Sequence, residues 1–149
     1  MKCIGMQAET STTDPAVPQL WEAFITRMQE LDEIAVPNCS LGIVLRDSIE
    51  DEGDETRFIY MAARVVKNFD ILPLDMVSYE IPETLVAVFT HKGSLENLGD
   101  TYDYIYEQWL PESGYQLGEG DELEWYDARF DYGSEDSEMD IHIPVIPIM

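Results

Sequence analysis

Glu124-Trp125-Tyr126 places a carboxylate among aromatic residues, on a segment (residues 123–130) whose alternation reads as a β-strand. A lone carboxylate among π faces is chemically suited to a lipophilic cation. The rings attract positive charge, and a buried carboxylate without a partner is costly until a cation arrives. Side chains alternate along a strand, so Leu123 and Trp125 share one face and Glu124 and Tyr126 the other. On alternation alone Glu124 belongs in water, as most glutamates do. In the sharper reading, Leu123 and Trp125 pack under a helix while Glu124 and Tyr126 face a groove. Aromatic residues elsewhere favour the groove. Phe58 and Tyr60 share a face of an earlier strand, and Trp21, Tyr102, Tyr106, Trp109, Tyr115 and Tyr126 fall on elements expected to border it. Tyr and Trp keep a polar tip and often line pockets, although ordinary core packing accounts equally well for Trp109 and better for Trp21. The candidate ligand-binding set is Glu124, Trp109, Tyr60, Tyr126, Tyr106, Phe58 and Trp21.

Other chemistries fail on spacing. Residues 47–55 hold six acids in nine positions. Aligned on Gly53 as a calcium loop, however, the segment has Ile59 where the closing carboxylate belongs and Ser48 at its first position. Gly118-Glu119-Gly120 opens like a dinucleotide fingerprint, but Leu123 stands at the third glycine position and a strand follows instead of a helix. His91 and His142 are isolated from each other and from the cysteines, so no metal cluster is evident. There is no nucleophile elbow and no phosphate loop. No metal and no cofactor are expected.

The elements that must position Glu124 follow from periodicity. Residues 2–9 read as a first strand and 11–18 as a Ser/Thr/Pro loop. Leu20, Trp21, Phe24, Ile25, Met28 and Leu31 recur at helical spacing, with Pro37 the latest end. Residues 41–45 and 57–66 read as strands, with Gly42 permitting a close approach, and the acidic segment 47–55 reads as a solvated hairpin loop between them. Residues 76–90 are extended and interrupted at Pro82. Ser94 then caps a second helix reaching about Trp109, with Leu95, Leu98, Tyr102, Ile105 and Trp109 as its buried stripe. Pro111 stops it, and Gly114 and Gly118 make turns. Residues 131–138 read as a second acidic hairpin loop, and 139–146 as a last strand broken by Pro144 and Pro147. The order strand, helix, strand, strand thus occurs twice. The expected fold is α+β: one domain over 1–149 with halves of about 1–75 and 76–149, mainly antiparallel sheets, two main helices and a central cleft.

The chain has 149 residues, 45% of them hydrophobic, which suffices for a core. With 8 basic and 31 acidic residues the net charge is −23. That charge repels phosphate backbones and anionic lipid, so neither direct nucleic-acid binding nor membrane docking is expected; solubility is its plainest consequence. No signal peptide is expected, and the sequence holds no apolar run of transmembrane length. Cys3 and Cys39 have no metal-ligand spacing and fit a reduced, cytoplasmic protein.

Five segments in order carry a family resemblance. They are residues 20–24 (Leu-Trp-Glu-Ala-Phe), 58–60 (Phe-Ile-Tyr), 89–93 (Phe-Thr-His-Lys-Gly), 109–115 (Trp-Leu-Pro-Glu-Ser-Gly-Tyr), and 124–126 followed by 141–144 (Ile-His-Ile-Pro). Together they resemble the GyrI-like small-molecule-binding family, also found as the effector-binding domain of AraC- and MerR-type regulators. The resemblance implies a tandem βαββ fold with a central pocket for hydrophobic, often cationic, compounds. It also implies a pocket glutamate at Glu124, with aromatic residues at Tyr60, Trp109 and Tyr126. It admits two alternatives. One is a hydrolase of cyclopropane-bearing DNA-alkylating toxins, with Glu124 and Tyr126 catalytic; the other is an acidic module whose protein partner is DNA gyrase. The chain departs from the family pattern at Ala63, where glycine is common. No helix-turn-helix precedes the matching block, so a stand-alone bacterial module is expected.

Overall fold

The computed structural model describes residues 1–11, 16–53, 55–132 and 134–148. β1 (Lys2–Ser11) leads to α1 (Val17–Ile25) and a 3₁₀ turn (Met28–Glu30). The hairpin β2 (Ser40–Glu52) and β3 (Glu55–Val66) completes a first βαββ unit. After β4 (Val77–Glu80), a second unit runs from β5 (Val86–Lys92) through a composite helix to β6 (Tyr115–Leu117), β7 (Glu122–Tyr126) and β8 (Glu138–Pro147). The composite helix opens with a 3₁₀ turn (Leu95–Asn97), continues as α2 (Leu98–Asp103), widens into a π-turn (Tyr104–Trp109) and ends in α3 (Leu110–Glu112). The expected α+β fold with two main helices is what the structure shows. No helix among the described residues is long and apolar enough to cross a membrane.

The strands form one antiparallel sheet in the order β4-β1-β3-β2-β7-β8-β5, with β6 also paired to β8. The two βαββ units therefore join along β2 and β7, where Gly42 faces Glu124. The sheet cannot be flat. Seven strands side by side would separate β4 from β5 by about 29 Å, whereas the chain linking Glu80 to Val86 spans at most about 20 Å. The sheet curls, and the Tyr79 hydroxyl on β4 reaches the Asp121 carboxylate just before β7. That contact fixes the concave face, which buries Cys3, Leu41, Ile43, Met61 and Leu123.

Both helices lie on the opposite, convex face. Leu20 and Phe24 of α1 pack on Ile4, Tyr60 and Ala62. The composite helix packs Ile105 on Met139, Ile141 and Ile143, joined by Leu95, Leu98, Tyr102 and Trp109, the stripe read from spacing. Ser94 caps it as expected, its side chain accepting the Glu96 N–H at 3.1 Å. His91, 3% exposed, ties the same turn to β5 through the Thr101 hydroxyl at 2.6 Å and the Ser94 carbonyl at 2.9 Å.

Several local expectations are corrected. The acidic segment extends the β2–β3 ladder, with Glu50, Asp51 and Glu52 opposite Arg57, Thr56 and Glu55. Its first residues fall in a bulge between Leu45 and Glu50, closed by Ser48, which donates to the Leu45 carbonyl and accepts the Ile59 N–H. Pro144 does not break β8. Its carbonyl accepts the Gly118 N–H at 2.9 Å, so its own nitrogen faces the gap between the end of β6 and the start of β7, where no donor is needed. β6 lies where only turns were expected, and β7 ends at Tyr126, short of Phe130. Within the 11–18 loop, residues 12–15 fall outside the described residues, as does Gly133 in the 131–138 loop.

Candidate ligand-binding site

Glu124 lies on β7 at the junction of the two units, on the face that carries both helices, and is 8% exposed. Its immediate neighbour in β2 is Gly42, and the space that a side chain would fill there is occupied by Tyr60. A Cβ at position 42 would stand 1.9 Å from the Tyr60 hydroxyl oxygen and 2.9 Å from Glu124 Oε1. Tyr60 can therefore reach from β3 across β2 and donate to Glu124 Oε1 at 2.7 Å. Tyr126, two residues along β7 and so on the same face, donates to the same oxygen at 3.0 Å. Tyr102 descends from the composite helix and donates to Oε2 at 2.8 Å.

The direction of these bonds is set by a fourth group. The indole N–H of Trp21 on α1, a donor only, points at the Tyr60 oxygen at 3.1 Å. Tyr60 accepts from Trp21 and sends its own proton to Glu124. The Trp21 ring also meets Tyr126 edge-on, 5.5 Å between centroids, and Tyr126 meets Phe130 at 4.8 Å. Burial, and then the Glu124 charge, push the hydroxyls of Tyr60, Tyr102 and Tyr126 well above the ordinary phenol range. They stay neutral donors at any physiological pH. The result is a carboxylate wrapped in aromatic rings and held by three hydroxyls, with one contributor from each helix.

A second carboxylate on the same face, Glu122, is pushed up to about 7, first by burial and also by the Glu124 charge; Arg46 opposes the shift. Spacing places Glu122 two residues from Glu124, but nothing in the sequence marks it as half-buried.

The predicted residues divide. Glu124, Tyr60, Tyr126 and Trp21 come together. Phe58, one strand repeat before Tyr60, packs with the α1 cluster, and Tyr106 packs with the composite-helix cluster. Trp109 makes its ring contacts elsewhere: it meets Phe89 edge-on at 4.9 Å, stacks on Tyr115 at 6.2 Å, and borders a separate cavity along β5. Leu123 and Trp125 lie on the concave face and not under a helix. Ala63, where glycine was the family habit, lies on that concave face too, opposite Leu41, and its methyl group points away from Glu124. Tyr102 and Gly42 complete the site and were not among the predicted ligand residues. Their signals were a helix stripe containing a tyrosine and a glycine inside a strand.

The model of the GyrI-like small molecule binding domain matches residues 1–146. The transcriptional regulator BrlR of Pseudomonas aeruginosa is 33% identical over 144 residues, which is 95% of this chain and 51% of BrlR. The chain thus spans about half the length of that curated relative. Among solved structures, EcmrR in a complex with DNA superposes with a TM-score of 0.72 at 15% identity, covering 98% of this chain and 54% of that one. SAV2435 bound to tetraphenylphosphonium superposes with a TM-score of 0.66 at 17% identity, covering 98% and 88%. With its tandem βαββ sheet and a family match over nearly its whole length, the chain belongs to the GyrI-like small molecule binding domain family.

Proposed function

We propose that this domain captures a lipophilic organic cation at Glu124, in a sensing or sequestering role. The observation that carries the reading is the buried Glu124 carboxylate held by Tyr60, Tyr102 and Tyr126 between the two helices. The three hydroxyls hold the anion until a cation displaces them, and the rings left behind supply flat walls. Desolvation confers selectivity: a neutral ligand that displaced the hydroxyls would leave the carboxylate without a partner. The tetraphenylphosphonium bound to SAV2435 is a ligand of this chemical class.

Calorimetric titration with tetraphenylphosphonium and with the neutral triphenylphosphine oxide tests the reading. Glu124→Gln should weaken the cation about tenfold or more and the neutral compound less than about twofold. Equal weakening of both would remove the electrostatic account.

The hydrolase reading draws less from the geometry. The hydroxyls that would polarise a substrate are committed to Glu124, and each is pushed away from proton transfer near neutrality. The gyrase reading keeps the acidic surface as its physical basis. BrlR, a transcriptional regulator, and EcmrR, solved in complex with DNA, are each covered over about half their length by this chain, which supports a setting in which such a domain serves a longer regulator.

A further inference from the structure

On the concave face, behind Glu124, the curled sheet borders an open cavity of about 390 Å³. That volume lies in the range of small-molecule sites. Its floor is Leu123 and His142, neighbours across the β7–β8 ladder. Its walls are the β4–β5 linker, with Ile81, Glu83 and Thr84, and the loop before β7, with Glu119 and Asp121. Leu123 and Glu124 are consecutive residues on opposite faces of one strand, so the sheet itself separates this cavity from the three tyrosines.

The lining has a definite chemical character. Ile81, Val86 and Leu123 make its interior apolar, and among the described residues no lysine or arginine borders it. Met1 does, but its amino group is tied to the Ile81 carbonyl at 2.8 Å. The charges at the rim are carboxylates. Glu83 and Glu119 are exposed, while Asp121 accepts the Arg46 N–H at 2.8 Å and the Tyr79 hydroxyl. The His142 ring lies flat on Trp125, 5.8 Å between centroids and 7° between planes, which fixes its orientation at the floor. Burial holds the imidazole below its ordinary value, so it presents a lone pair at neutral pH.

The geometry points to a second ligand site, for a primary alkylammonium with an apolar body: the ammonium N–H groups would bond to the imidazole and the rim carboxylates, and the apolar body would cover Ile81, Val86 and Leu123. This chemistry differs from that of the Glu124 site. An ammonium head needs acceptors for its protons, whereas the three tyrosines at Glu124 suit a diffuse charge without N–H groups.

Amide-resolved NMR titration with phenethylamine, and with 2-phenylethanol as its neutral counterpart, tests the assignment. Phenethylamine should shift Thr84, Gly120 and His142 saturably, and 2-phenylethanol should bind about fivefold or more weakly. The double variant Glu83→Gln/Glu119→Gln changes exposed residues only and should weaken phenethylamine about threefold to tenfold. Thr84→Trp, which fills the mouth, should abolish the shifts at Gly120 and His142. Glu124→Gln should leave the affinity within about twofold. Three results would overturn the assignment: no saturable shift at these residues, equal binding of the alcohol, or loss of binding with Glu124→Gln.

Discussion

A methyl group at position 42 would stand 1.9 Å from the Tyr60 hydroxyl, which makes Gly42 as much a part of the site as the carboxylate it faces. Gly42→Ala should force Tyr60 off Glu124 and lower stability by about 1–3 kcal/mol, read from denaturant unfolding, with loss of cation binding. Tyr60→Phe keeps the ring but removes the oxygen that accepts from Trp21 and donates to Glu124. It should cost about 1.5–3 kcal/mol, and it should also change the Trp21 fluorescence, because the indole N–H loses its partner. Glu122 adds a pH signature. Its carboxyl rises from 4.5 to about 7 on folding, so the folded state holds a proton that the unfolded chain has released. Its contribution is fully present below about pH 4.5 and is lost as the pH climbs to about 7. Glu122→Gln should therefore unfold at a higher temperature than wild type at pH 8, by an amount worth about 1–3 kcal/mol, and the two should converge near pH 4. A constant difference across that range would mean that Glu122 is not the titrating group.

At the scale of elements, the composite helix decides where Tyr102 stands. Its start is pinned by the Ser94 cap and by His91, and its middle widens at the π-turn, where the Leu110 N–H bonds to the Ile105 carbonyl five residues back. Such wide turns are uncommon and concentrate near functional sites. Ser94→Ala should cost about 0.5–2 kcal/mol, and deuterium exchange should speed up first in residues 95–103. Much of this was legible in sequence. The Leu95, Leu98, Tyr102, Ile105, Trp109 stripe and the Ser94 cap are local signals, and local signals survive folding. What was hidden depends on partners distant in the chain. The acidic segment looked like a solvated loop because its charges are real, but Arg57 and Thr56 lie across from Glu50 and Asp51 and make it a ladder. Pro144 looked like a strand end, because nothing local reveals that its nitrogen faces a gap between two partner strands. The family resemblance put Trp109 in the pocket with Tyr60 and Tyr126; its ring lies between Phe89 and Tyr115, and the cavity it borders is the separate one along β5.

At the scale of the molecule, two βαββ units share one curled sheet, and the seam between them is where the chain places its buried charge. The alternation around Glu124 correctly separated it from Leu123 and Trp125. It could not say which face would carry the helices, because that is set by the β2–β7 pairing of residues about 80 positions apart. The net charge of −23 surrounds the seam with a negative field, which draws cations toward it and weakens with added salt. The central claim is that an organic cation takes the place of hydroxyl protons at Glu124. The most direct test is a crystal structure of the protein with tetraphenylphosphonium. The account predicts the phosphonium within about 6 Å of the rings of Tyr60, Tyr102 and Tyr126, with at least one of their hydroxyls released from Glu124. A phosphonium bound elsewhere, with all three hydrogen bonds to Glu124 intact, would contradict it.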